Sequence, residues 1–397
     1  MDEASTLNRR LLEAMDRFGA ETCFRIWRTD RYRDVSYRHF RRQTLRLTHA
    51  LLEHRLRGER VVVWAANSPD WMIVYMAALF AGALVVPLRR SLPAEAILHT
   101  LEDCTPRVIV VQDGDQATWV EQQREHLPHL DLLLTIDDPP TDGKAIPEPP
   151  GERLSSLVAE RLEAEADTAV RETIASAEPA AAAAIHYTTT QAGAPLGAVF
   201  DQGQRAATLR HLDAWFHLDD DDVAFTTLPW GYIPSLEAAL HYFVSGVPNV
   251  LSQRRELVFE EIQQASPTLV LTIPNALERA YDEVIDKGIR TLPESTQEMF
   301  YWALTTAKKL LAAGTDASAE LRERYARADR TFFSTIRGAF GGRFRRFVCT
   351  GAPLDRDLAE SIQAIGLVPI NVYSVTESGG FPAVHPGDGR DPETCGP

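Results

Sequence analysis

The sequence predicts an α/β fold of two similar subdomains, each with a mainly parallel sheet flanked by helices. Three observations carry this expectation. Apolar runs of strand length alternate with segments of helical periodicity through the first half. A Pro-, Asp- and Gly-rich stretch, residues 137–152, reads as a linker-like loop. Beyond it the same strand–helix rhythm returns. The expected division is residues 1–177 and residues 178–397.

Taken in order, Leu7, Leu11, Leu12, Met15 and Phe18 recur at helical spacing. Ser36 can cap a second helix holding Phe40, Leu45, Leu51 and Leu52. Residues 60–65, 84–86 and 107–111 read as strands, with helices over 70–81 and 93–103 between them. Such alternation argues for parallel pairing with helical crossovers. An Ala/Glu-rich helical segment covers 154–177. Later strands are expected at 223–228, 268–272, 346–349 and 368–372. Helices are expected at 235–244, 274–285, 295–312 and 354–365. Residues 71–88 carry no charged side chain and are long enough to suggest a membrane span. Gly82 and Pro87 interrupt them, and a buried helix followed by a buried strand accounts for the run, so no transmembrane span is expected.

With 45% hydrophobic and 24% charged residues, the 397-residue chain can bury a large core. A net charge of -15 argues against a nucleic-acid partner. Cys23, Cys104, Cys349 and Cys395 are scattered and signal no disulfide framework or metal site. Free thiols and a charged, amphipathic N-terminus without a signal-like apolar core point to the cytoplasm. Lysine is scarce: Lys144, Lys287, Lys308 and Lys309 are all there are.

Five segments carry candidate chemistry. Residues 185–200, IHYTTTQAGAPLGAVF, run from a strand into a hydroxylated, Gly-containing turn able to offer N–H groups and hydroxyls to an anion. On composition alone an exposed loop explains this stretch better. Residues 228–234 (LPWGYIP), 272–278 (TIPNALE) and 349–354 (CTGAPL) are turns beside apolar runs. Residues 371–377, NVYSVTE, combine an aromatic face for a base, a hydroxyl for a phosphate and a carboxylate for a hard cation. A polar strand end accounts for them equally well.

In this order and spacing the segments resemble the AMP-forming acyl-activating ligases, on the long-chain fatty acyl-CoA synthetase branch. The turn after the strand is similar to that family's phosphate loop, Y-T-S-G-T-T-G-x-P-K-G, through Tyr187, Thr188, Gly193, Pro195 and Gly197. It departs at Thr189, Thr190, Gln191 and Ala192, and Leu196 stands where the family has lysine. Residues 228–234 resemble L-P-x-x-H-x, with Tyr232 for the histidine, which makes Trp230 and Tyr232 acyl-pocket candidates. Residues 272–278 are similar to V-P-R-x-x-E-K, with Asn275 for the arginine, and residues 294–330 to the helix-rich insert of the long-chain branch. CTGAPL resembles the adenine-side S-G-G-A-P-L, and NVYSVTE resembles x-x-Y-G-x-T-E.

The resemblance implies nucleotide binding by Thr188, Thr189, Thr190, Gly193, Gly351, Ala352, Pro353, Tyr373 and Thr376. It implies catalytic roles for Thr188 and Glu377, with magnesium held by Glu377. ATP, AMP and CoA would be the other small molecules. The implied substrate is a fatty acid of medium or long chain, converted through an acyl-adenylate to acyl-CoA. The chain corresponds to the N-terminal adenylation domain of that family, so it is expected to be truncated, weak in acyl-CoA formation alone, and dependent on a partner chain for the C-terminal domain. The alternative is a non-catalytic, ligase-like protein that binds acyl chain or nucleotide as a scaffold.

Overall fold

The structure, a computed structural model, describes residues 5–28, 31–136, 150–159, 163–188, 194–384 and 395. Its strands in chain order begin with β1 (Thr22–Arg28), β2 (Arg31–Ser36), β3 (Arg60–Trp64), β4 (Leu84–Pro87) and β5 (Val108–Val111). They continue with β6 (Leu132–Thr135), β7 (Glu152–Arg153), β8 (Ala182–Tyr187), β9 (Gly197–Asp201) and β10 (Ala224–Thr226). The last are β11 (Asn249–Leu251), β12 (Leu269–Thr272), β13 (Arg346–Thr350), β14 (Val368–Val375) and β15 (Gly380–Val384).

The chain divides into two units. The first comprises Met1–Phe24, Asp34–Ala214 and Pro229–Gly246. It carries a seven-stranded sheet in the order β7-β6-β5-β3-β4-β8-β9, parallel throughout except for the antiparallel β8–β9 pair. Val61, Val62, Val63, Val108, Ile109, Val110 and Val111 are all buried. Continuous apolar strands of this kind are what a parallel sheet covered on both faces requires. The uncharged run becomes the helix Pro69–Phe80, started by the Ser68 side chain accepting from the Trp71 amide and by a proline in its first turn. Gly82, at φ +79, turns the chain into β4. Among the described residues no helix is long and apolar enough to cross a membrane.

The second unit comprises Arg25–Arg33, Trp215–Leu228 and Val247–Pro397. Its sheet has eight strands in the order β15-β14-β13-β12-β10-β11-β1-β2. The pairs from β11 through β10, β12 and β13 to β14 are parallel, and β15 is antiparallel to β14. Phe225, Val270, Phe347 and Cys349 from the strands pack with Phe300, Phe333, Ile336 and Phe340 from the covering helices.

The α/β class with two mainly parallel sheets is as expected, but the boundary at residue 177 is corrected. β8 and β9 complete the first sheet, β8 lying parallel to β4 with Ala184 opposite Val85. Pro229–Gly246 also returns to the first unit. Ala183 and Ala184 of β8, which point to opposite faces of the sheet, are both buried there. Of the linker-like stretch, residues 137–149 lie outside the described residues, and Glu152–Arg153 pair with β6. The segment 154–177 forms two helices, Leu154–Ala159 and Glu163–Ala175. The one expected over 274–285 is α-helical for Pro274–Tyr281, then widens into a π-helical turn, Asp282–Lys287.

Candidate functional site

In the second unit, parallel pairing aligns the carboxyl ends of β12, β13 and β14. Thr272 lies opposite Cys349, and Thr350 opposite Val372. Loops leaving such ends are where open α/β sheets bind ligands. Gly351, Ala352 and Pro353 follow β13 and are exposed; Gly351 has φ +90, a conformation glycine adopts without a Cβ penalty. From β14 comes Tyr373, whose side chain is 53% exposed although its backbone pairs with Ala383 of β15. The strand then closes into the turn Thr376–Ser378, in which the Ser378 hydroxyl donates to the Val375 carbonyl at 2.9 Å.

One contact fastens the two motifs together. The buried Thr350 hydroxyl lies 2.7 Å from the Ser374 hydroxyl. Thr350 and Ser374 stand where the S-G-G-A-P-L and Y-G-x-T-E patterns have glycines, a departure that could have flagged the pair in the sequence. Six of the expected residues, Gly351, Ala352, Pro353, Tyr373, Thr376 and Glu377, thus gather at one end of two adjacent strands. Together they offer an open aromatic face, an exposed loop backbone, a hydroxyl and an exposed carboxylate. Among the described residues no group of three or more His, Cys, Asp or Glu could hold a metal ion. A single exposed carboxylate such as Glu377 is the kind of ligand magnesium takes alongside phosphate and water.

In the first unit, β8 and β9 form a hairpin with Tyr187 opposite Gly197. The Thr188 amide donates to the Leu196 carbonyl at 2.9 Å, and the Leu196 amide donates to the Thr188 hydroxyl at 3.4 Å. A Cβ on Gly197 would fall 2.8 Å from the Ile185 side chain and 3.1 Å from the Tyr187 ring, so only glycine lets the strands approach. The Tyr187 hydroxyl bonds the Asp103 carboxylate; burial and this bond push the phenol well above its ordinary range. Thr188 is half-buried at the hairpin, whereas Thr189, Thr190 and Gly193 lie outside the described residues. Leu196 is 68% exposed, an apolar side chain where the resembled loop has a cation.

Trp230 and Tyr232 also belong to the first unit. Trp230 is fully buried, its ring 5.2 Å from Trp71 and 5.9 Å from Phe24, and its amide donates to Asn67 Oδ1 at 2.9 Å. It is a core residue in this structure. Tyr232 is half-buried. Between them Gly231 runs so close to Leu88 and Arg89 that a Cβ would lie 2.7 Å from the Arg89 nitrogen. Sequence reasoning missed a buried ion pair in this unit, Arg205 with Glu237 at 2.8 Å. No spacing signals it, because the two residues sit on different helices.

A family model described as "AMP-binding enzyme" matches residues 11–397. The chain belongs to the AMP-binding enzyme family. It is 25% identical over 331 residues to the long-chain-fatty-acid–CoA ligase FadD15 of Mycobacterium bovis, covering 82% of this chain and 53% of that one. It is 24% identical over 372 residues to long-chain-fatty-acid–CoA ligase 5 of Mus musculus, covering 90% and 52%. The chain thus spans about half the length of these relatives. Its fold is similar to that of the anthranilate CoA ligase AuaEII in complex with anthranoyl-AMP, with a TM-score of 0.71 at 16% identity over 100% of this chain and 64% of that one. It is also similar to the inhibitor-bound N-terminal domain of FACL13 from Mycobacterium tuberculosis, with a TM-score of 0.67 at 16% identity over 96% and 78%. The resemblance to acyl-activating ligases is borne out.

Proposed function

We propose that this AMP-binding family member forms an acyl-adenylate from ATP and a fatty carboxylic acid of medium or long chain. Transfer of the acyl group to CoA would follow in the whole enzyme. The observation that carries the reading is the junction of the Gly351–Pro353 loop with Tyr373–Glu377 at the ends of β13 and β14, tied through Thr350 and Ser374. Tyr373 offers its exposed ring to adenine. In this reading Thr376 lends a hydroxyl to a phosphate, and Thr188, Thr189, Thr190 and Gly193 are assigned to phosphate binding by the resemblance of their segment. The carboxylate of the fatty acid attacks the α-phosphorus, and pyrophosphate leaves. Glu377 would hold magnesium, which neutralises charge on the phosphate oxygens as the bond breaks. Tyr232 and Trp230 belong to the acyl side in this reading, Trp230 by packing from within the core.

Leu196 favours a second reading, a ligase-like protein that binds nucleotide or acyl chain without efficient chemistry. Loss of a transition-state cation commonly costs about a hundredfold or more in rate. Hydroxylamine trapping separates the two. The chain is incubated with ATP, magnesium and fatty acids of graded length, and acyl-hydroxamate is measured. Hydroxamate above a no-protein control, dependent on chain length, supports ligase chemistry. Its absence, with AMP still bound, supports the second reading. Failure to bind any adenine nucleotide contradicts both.

A further inference from the structure

Beneath the β8–β9 hairpin of the first unit lies a fully buried arginine. Arg205 sits near the start of the helix Gln202–Trp215, which leaves β9 directly. Each guanidinium nitrogen meets a different element. Nη1 donates to His186 Nε2 on β8 at 3.0 Å, and Nη2 donates to the Tyr75 hydroxyl on the helix Pro69–Phe80 at 3.0 Å. Nε lies 2.8 Å from Glu237 Oε1 on the helix Ile233–Ser245. This last is a close charge contact and not an aligned hydrogen bond, because both Glu237 oxygens and the Arg205 Nε lack a properly directed partner. Burial, then the Arg205 charge, hold His186 well below its ordinary range, so the ring is neutral and its Nε2 accepts.

Two further bonds fasten the same base. Asp201 and Gln204 bond reciprocally, amide to side chain, at 2.9 and 2.7 Å, closing the start of the Arg205 helix on the end of β9. Gln202 exchanges bonds with Asn8 at 3.1 and 3.2 Å. The base of the hairpin is therefore fastened at several points, while Leu196, just before β9, is exposed.

A buried ion pair is a poor device for stability alone. Apolar residues of similar volume usually do as well or better, and what such a pair can supply is a defined geometry. The planar guanidinium suits that task because its donors point in fixed directions. We propose that Arg205, held by Glu237, is a positioning residue for the β8–β9 hairpin: through His186 it sets β8, and so fixes where Thr188 stands. The proposal rests on the nucleotide reading above. Its mechanical part, the fixing of β8, does not.

The test uses the full chain at pH 8 and compares the parent with Arg205→Met, Arg205→Lys and the double variant Arg205→Met/Glu237→Leu. The double variant removes both charges and leaves no unpaired one, so it is the variant expected to stay folded. Amide exchange is followed by mass spectrometry in peptides covering Tyr187–Thr188 and Leu196–Phe200, with peptides of β13 and β14 as the internal reference. Dissociation constants for magnesium-ATP and AMP are measured by calorimetry. Exchange in the hairpin of the double variant should rise by about tenfold or more while the reference peptides stay at parent rates, as expected for local and not global opening. ATP binding should weaken by about tenfold and AMP binding by less than about twofold, because only the phosphate end is displaced. Arg205→Lys should recover little, since one compact ammonium cannot stand at once where the separate guanidinium nitrogens meet His186, Tyr75 and Glu237.

Parent exchange rates and parent ATP affinity in the double variant would overturn the proposal. So would an equal rise in exchange over both sheets, which marks a purely structural role. A parent chain that binds neither nucleotide overturns the nucleotide reading and with it the purpose assigned to Arg205. That failure is told apart because the exchange measurement needs no nucleotide.

Discussion

The β8–β9 hairpin of the first unit and the β13–β14 ends of the second are built in different ways. The hairpin has a charged, buried root, Arg205 with Glu237, and an exposed apolar side chain, Leu196, just before β9. The carboxyl ends of β13 and β14 are joined by neutral groups. Two small hydroxyls, Thr350 and Ser374, hold it, and its functional groups, Tyr373 and Glu377, are displayed outward. A loop that grips a polyanion needs cations or many aligned amides at its tip. A surface that stacks a base needs only an open ring on a firm strand. The comparison teaches that, in the proposed reading, the second region offers what adenine recognition requires, while the first presents Leu196 where the resembled loop has a cation.

The largest effect should come from the core under the first region. Trp230→Ala removes a fully buried indole packed on Trp71 and Phe24, and should cost about 3–5 kcal/mol of stability. Thermal or urea unfolding checks it. A loss below about 1 kcal/mol would mean that Trp230 faces open space and lines a site after all.

The buried pair gives a pH dependence whose sign can be worked out. Burial pushes the Glu237 carboxyl up to about 7 against the attraction of Arg205, with Tyr75 and His186 as the other groups on that guanidinium. An unfolded glutamate titrates near about 4.3, so the folded chain binds the proton more tightly. The associated stability is fully present below the unfolded value and is lost as pH rises through about 7. Relative to Glu237→Gln, the parent should therefore lose stability between pH 5 and 7.5. Parallel melting-temperature curves for the two chains would contradict this.

Smaller effects separate the two regions further. A double-mutant cycle on Thr350→Val and Ser374→Ala should return a coupling of about 1 kcal/mol in stability, with AMP binding weakened in each variant. Zero coupling would leave the two motifs independent. Leu196→Lys restores a cation at an exposed position and should tighten ATP, though not AMP, by only about 1 kcal/mol or less, given solvent screening.

Much of this was legible in the sequence, for identifiable reasons. β3, β4, β5 and β12 are buried on both faces and read as unbroken apolar runs. Ser36 and Ser68 cap their helices as their position predicts. β1 and β2 were not legible, because Arg25, Arg28, Arg31 and Arg33 interrupt their apolar pattern. β9 escaped because an edge strand of a hairpin exposes Val199 and offers only a weak alternation. The unit boundary escaped because it depends on β8 pairing with β4, a contact that local pattern does not encode. Within the site, Tyr373, Thr376, Glu377 and the Gly351 loop were readable as motifs. The Thr350–Ser374 contact that ties them, like the Arg205–His186 bond under the hairpin, joins residues whose proximity only the fold creates.

The central claim is that nucleotide recognition here rests on the β14 tyrosine more than on the hairpin. Titration calorimetry with ATP and AMP on the parent, Tyr373→Ala and Thr188→Ala chains tests it directly. Aromatic stacking on a base is worth about 1–3 kcal/mol, so Tyr373→Ala should weaken both nucleotides by roughly five- to 150-fold. Thr188→Ala should change either by less than about fivefold, because one neutral hydrogen bond is worth about 1 kcal/mol or less at such a half-exposed site. The account also predicts that the parent binds ATP no more than about tenfold more tightly than AMP. A parent that binds ATP far more tightly than AMP, with Thr188→Ala the more damaging change, would contradict it.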